Sequence, residues 1–146
     1  MVCRRGCGWL WATLAVAMTA GAVCAVGAQT SGAQRSVRDG VYTTQQAQRG
    51  ASVYARECAE CHGATLKEDD GAAPLAGSAF VSVWTPYSVG DLYERMRKTM
   101  PKATPGSLGA QEYADILAQI LLANGYPAGK TELTARMELL NQIRFD

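Results

Sequence analysis

Three stretches of the chain carry apolar residues at helical spacing. Ala47, Gly50, Ala51, Tyr54, Ala55 and Cys58 recur at i, i+3, i+4 and i+7, which predicts a helix with one apolar face. Thr43 and Gln46 suit a capping box at its start. Val89, Leu92, Tyr93 and Met96 predict a second helix, opened by a cap at Ser88-Val89-Gly90-Asp91 and closed before Pro101, whose ring excludes helical geometry in the residue ahead of it. Tyr113, Ile116, Leu117, Ile120 and Leu121 form the clearest stripe, with Gly109 in the cap position and Asn124-Gly125 as the stop. Gly50 has no side chain, so the first and third of these helices are expected to approach closely there. Leu133, Met137, Leu140 and Ile143 suggest a fourth helix over about 131–143. No strand pair and no internal repeat is legible. The pattern is that of an all-α protein.

The amino terminus follows another rule. Arg4 and Arg5 precede an uncharged stretch whose apolar centre runs from Trp9 to Val26 and ends in Ala25-Val26-Gly27-Ala28. A basic start, an apolar middle and a small-residue exit predict a secretory signal over 1–28, which places the chain in the periplasm. The alternative is an uncleaved anchor that holds it on the membrane, facing the periplasm. Residues 29–40 are polar, rich in Ser, Gly and Gln, and read as a flexible leader to a domain over 41–146.

Composition sharpens the picture at one point. With 14 Lys+Arg against 13 Asp+Glu there is no basic excess to suggest nucleic acid as a partner. Five cysteines cannot all pair within the chain, and three of them fall in the signal. Cys58 and Cys61 remain, three residues apart and followed by His62, the single histidine. Cys58-Ala59-Glu60-Cys61-His62 is the pattern of c-type haem attachment. On a helix, residues three apart share a face, so both thiols can reach the two vinyl groups on one porphyrin edge and add to them as thioethers. His62 then lies beneath the iron as the proximal ligand. A thioredoxin-type pair would need a βαβ context. A zinc site would need further Cys or His ligands, which are missing once 1–28 is removed.

The iron's other face has Met96, Met100 and Met137 as candidates, or less often a lysine or water. Met100 is the preferred ligand, because Pro101 takes it out of the helix onto a constrained loop, whereas Met96 and Met137 have the spacing of ordinary core. One covalently attached haem c per chain, held by Cys58 and Cys61 and ligated by His62 and Met100, is the expected cofactor.

These motifs resemble class I cytochromes c, and more closely the small cytochrome domains associated with bacterial pyrroloquinoline-quinone dehydrogenases. The resemblance covers roughly Val41 to Leu140 and rests on Cys58 to Gly63, Ala73-Pro74-Leu75-Ala76-Gly77, Phe80 with Trp84, Thr99-Met100-Pro101 and Tyr113 to Leu117. It implies a class I cytochrome c fold of about four helices around one haem, His/Met ligation and electron transfer without substrate chemistry. It implies redox-protein partners, among them a quinoprotein dehydrogenase and a terminal oxidase. It also implies an aromatic beside the crossing of the terminal helices, for which Tyr113 is the candidate. In that family a proline carbonyl accepts the second N–H of the haem histidine. Here Ala73 takes that place and Pro74 the next, and the carbonyl survives the change.

Trp84 has two readings, a donor to a haem propionate or a ring packed in the core. Arg95, Arg97, Lys98 and Lys102 also have two, cations that complement a helix end or a docking surface for an acidic redox partner. Glu68-Asp69-Asp70 reads as a solvated loop. A haem enzyme or gas-binding sensor with an open sixth iron site is the alternative function. The lone histidine opposes it, since no distal acid–base histidine is available.

Overall fold

A computed structural model of the chain describes residues 34–67 and 71–146. The signal expected over 1–28, the first part of the leader and the acidic loop at 68–70 lie outside the described residues. Among those described, no helix is long and apolar enough to cross a membrane.

Among the described residues, six helices and one small sheet make up the architecture. In chain order these are β1 (Arg35–Ser36), a 3-10 turn (Val37–Asp39), α1 (Thr44–Glu57), α2 (Ala59–His62), α3 (Ser78–Trp84), α4 (Val89–Thr99), α5 (Ala110–Ala123), α6 (Met137–Leu140) and β2 (Ile143–Arg144). The three strong stripes become α1, α4 and α5. All five stripe residues of α5 are buried, as are Val89, Leu92, Tyr93 and Met96 of α4. The face of α1 is rotated from expectation. Gln46, Ala47, Gly50, Val53 and Tyr54 are buried, while Ala55 is exposed.

The most extensive contact joins α1 to α5, and Gly50 is its cause. A Cβ there would collide with the Asp115 carbonyl. Beside this crossing a polar network is fully satisfied. Asp115 accepts from Gln46 at 3.1 Å, Gln111 at 2.9 Å and Arg49 Nε at 3.0 Å, and Arg49 also reaches Glu132 at 2.9 Å. Buried polar groups are tolerable only when paired in this way.

The helix caps follow the sequence. The Thr43 hydroxyl accepts from Gln46 N at 3.1 Å, but the Gln46 side chain turns inward to Asp115 and Leu133 rather than closing the box. Ser88 and Asp91 form the complete reciprocal cap of α4. The Ser88 N–H and hydroxyl donate to the Asp91 carboxylate and hold its pKa below the ordinary value. The stabilisation from this cap is therefore present above the ordinary carboxylate range and is lost as pH falls through the lowered value. Glu112 supplies the acceptor for Gly109 N at 2.9 Å at the start of α5.

Expectations at both ends of the domain are corrected as well. The helix over 131–143 is confined to Met137–Leu140. Leu133, Leu140 and Ile143 are buried as their pattern requires, but the Leu133 N–H and carbonyl both bond the Gln46 side chain, at 2.7 and 2.8 Å. Those groups are thereby withdrawn from a helical ladder. The end of the expected leader is also ordered. Arg35–Ser36 pairs in parallel with Ile143–Arg144, and Val37 is fully buried. A strand pair thus exists where none was legible, because two residues per strand leave no period to read.

Candidate functional site

Cys58 is the residue between α1 and α2, and its carbonyl accepts from Cys61 N and His62 N. The helical spacing of Cys58, Cys61 and His62 is thus realised with a kink at Cys58. Both cysteines are free thiols, Cys58 half-buried and Cys61 exposed. Burial, then the charges of Glu57 and Cys61, push the Cys58 thiol up to about 11. Tyr54, one turn earlier on α1, donates its hydroxyl to the Gly63 carbonyl at 2.6 Å and fixes the exit from α2. Burial raises its own pKa to about 12, so it remains a donor at any ordinary pH.

His62 Nδ1 lies 2.9 Å from the Ala73 carbonyl oxygen. A carbonyl can only accept, so Nδ1 carries the proton and Nε2 keeps its lone pair for a metal. The expected bond is therefore present with alanine in the usual proline position. The loop beyond it is held by Asn124, which donates to the Leu75 carbonyl at 2.9 Å and accepts from Gly77 N at 3.0 Å. The sequence marked Asn124 only as a helix stop. Its grip on the loop beyond Ala73 is a long-range contact with no local signal.

Met100 is the C-cap of α4. Its backbone is pinned on both sides, N–H to the Met96 carbonyl at 2.8 Å and carbonyl to the Tyr113 hydroxyl at 2.7 Å. Tyr113 also packs edge-on against Tyr93 with ring centres 6.3 Å apart. The aromatic expected beside the helix crossing thus holds the Met100 loop.

Cys58, Cys61, His62 and Met100 all line one cavity of about 1010 Å³. That is at the upper end of ligand-pocket sizes, roughly 300–1,000 Å³. Ala73, Pro74 and Trp84 line it as well, so every site residue expected from the sequence borders this space. Leu92, Met96, Ile116 and Ile120 supply apolar walls. These four were legible as helix core, and the core they face is the cavity. Met137 is not among the lining residues. Val83 and Tyr87, both largely exposed, form part of the rim and were not singled out from the sequence. Among the described residues no three His, Cys, Asp or Glu side chains cluster to hold a metal ion. Two thiols, one imidazole prepared at Nε2 and one thioether around a large apolar space would suit a flat metal-bearing macrocycle that supplies the rest of the metal's ligands itself.

Residues 45–120 match the family model described as cytochrome C oxidase, cbb3-type, subunit III. The chain belongs to that family. It is a class I c-type cytochrome with the all-α fold of that class, and membership implies haem c, an electron-transfer role and redox-protein partners. Comparison with curated proteins and with solved structures yields no match.

Within the cytochrome, the four clustered cations divide into two kinds. Lys98 pairs with Glu94 at 2.7 Å on the same helix, and the Arg97 guanidinium sits 5.7 Å from the Tyr93 ring centre. These two serve their own helix. Arg95 and Lys102 line the cavity instead.

Proposed function

We propose that the chain is an exported, single-haem electron carrier, with Cys58 and Cys61 as the covalent anchors, His62 as proximal ligand and Met100 as distal ligand. The observation that carries this reading is that all four residues line one large apolar cavity although they come from two separate segments of the chain. Bound there, haem c supplies a reversible one-electron iron centre.

The chain's own contribution is to hold the donors still. The Ala73 carbonyl orients His62 and keeps its proton on Nδ1. Met96 and Tyr113 fix the Met100 backbone from both sides. Apolar walls from α4 and α5 limit water there, and Trp84, which lines the same cavity, is the proposed donor to a propionate. A rigid donor set suits electron transfer, because little in the protein must move when the charge changes.

The proposed partners are a quinoprotein dehydrogenase as donor and a terminal oxidase as acceptor, met in the periplasm. The proposed location rests on the amino-terminal pattern.

Haem retention tests the reading. Protein made with a c-type maturation system is expected to keep its haem through acid–acetone extraction. The double variant Cys58→Ala, Cys61→Ala is expected to lose all covalent haem. Extractable haem in the unaltered protein would remove the thioether assignment.

A further inference from the structure

The family match ends at residue 120, yet segments on both sides of it meet and reach the haem cavity. β1 and β2 lie side by side in parallel. Ser36 donates to the Asp146 side chain, and Arg38 donates to the Asp146 carbonyl at 2.9 Å. Arg38 also stacks 5.7 Å from the centre of the Tyr126 ring. Tyr126 is itself tied to the amino-terminal segment, since its carbonyl accepts from the Tyr42 hydroxyl at 2.6 Å. The two flanks form a clasp.

The clasp delivers one side chain to the cavity wall. Phe145 is 2% exposed. Its ring meets Phe80 edge-on at 5.9 Å, Trp84 at 6.2 Å and Tyr126 at 6.2 Å. Phe80 and Trp84 line the cavity together with Ala79 and Val83 of α3, whereas Phe145 itself does not. The neighbouring backbone is fastened to the turn that leads from α3 to α4. Phe145 N donates to the Tyr87 carbonyl at 3.3 Å, and Arg144 donates to the Pro86 carbonyl at 2.6 Å. Arg144 also bridges to Ser88, the cap of α4. Closer to the middle of the clasp, Asn141 fits against Gly90 of α4, where a Cβ would collide with its side chain.

α3 needs such support. It has seven residues, and its cap residue Gly77 offers no side chain. Helices this short are unstable without tertiary packing. We propose that Phe145 is a positioning residue for the haem cavity: held by the clasp, its ring fixes Phe80 and Trp84 in the wall and keeps water from that side. This rests on the haem reading of the cavity. Excluding water disfavours the more highly charged oxidised site, so the contact should raise the potential.

The test compares Phe145→Leu and Phe145→Ala with Val37→Ala in the haem-loaded protein. Val37 is fully buried in the clasp but does not line the cavity. The measurements are the midpoint potential, the rate at which cyanide reaches ferric iron, and thermal stability by circular dichroism. Phe145→Leu is expected to lower the potential and to admit cyanide several-fold faster, with Phe145→Ala larger in both if it folds. Val37→Ala is expected to lower thermal stability alone. The proposal is overturned if Phe145→Leu changes only stability, or if Val37→Ala moves the potential and the cyanide rate as far. Failure of the haem reading looks different, since the unaltered protein would then lack covalent haem altogether.

Discussion

Met100→Ala is expected to abolish the weak long-wavelength charge-transfer band of thioether sulfur on ferric iron, to lower the midpoint potential, and to let ferrous iron bind carbon monoxide. The reason is specific to this loop. Met100 borders the cavity from the end of α4, and its backbone is held by the Met96 carbonyl on one side and the Tyr113 hydroxyl on the other. Truncation therefore removes the sulfur without freeing the loop to offer another donor. A thioether favours ferrous iron, so its loss lowers the potential. Met96 also lines the cavity but is 9% exposed and embedded in the inner face of α4. Met96→Ala is expected to keep the band at a cost of about 2–5 kcal/mol in stability, as for buried methionines in general. Met137→Ala should leave the band intact, since Met137 does not line the cavity. Optical spectra of the three ferric variants decide the matter. A band lost in Met96→Ala but kept in Met100→Ala would reassign the ligand.

Gly50→Leu is expected to prevent stable folding, and Gly50→Ala to destabilise strongly. Even a methyl group at this position would collide with the Asp115 carbonyl, which is backbone within α5 and cannot rotate away. The helices must separate, which loosens the packing of Tyr113, Ile116 and Leu117 and misaligns the Gln46–Asp115 and Arg49–Asp115 hydrogen bonds. Overpacking of a core costs about 1–3 kcal/mol, a large share of the roughly 5–15 kcal/mol that holds a domain together. Thermal melts of Gly50→Ala, with Ser52→Ala on the exposed side of α1 as control, measure the effect. Equal melting temperatures for the two would show that the crossing is not as tight as described.

The parts of the molecule legible in its sequence are those that local spacing determines. Cys58, Cys61 and His62 are fixed by bond geometry along one short helical stretch. The stripes of α4 and α5 repeat often enough to declare a period. The His62 bond to Ala73 was legible only through resemblance, and it survives because it uses backbone. What the sequence hid is long-range or brief. α3 spans two turns, too few for its Phe80 and Trp84 to define a face. Leu133, Leu140 and Ile143 have helical spacing and are buried as that spacing suggests, yet the Gln46 side chain captures the Leu133 backbone and most of the segment is not helix. Val37 is one apolar residue in a polar stretch, and only its partner strand explains its burial. Asn124 bonds the loop at Leu75 and Gly77, and Phe145 packs on Phe80 and Trp84, each from far along the chain through contacts that no local pattern announces.

The central claim is that this chain carries one electron on one six-coordinate haem. The most direct measurement is a spectroelectrochemical titration of the unaltered protein, run with and without carbon monoxide. The account predicts a single Nernstian transition of one electron per chain, with the same midpoint in both runs because Met100 closes the iron. Uptake of more than one electron per chain, or a midpoint that rises under carbon monoxide, would contradict it and point to an open iron site.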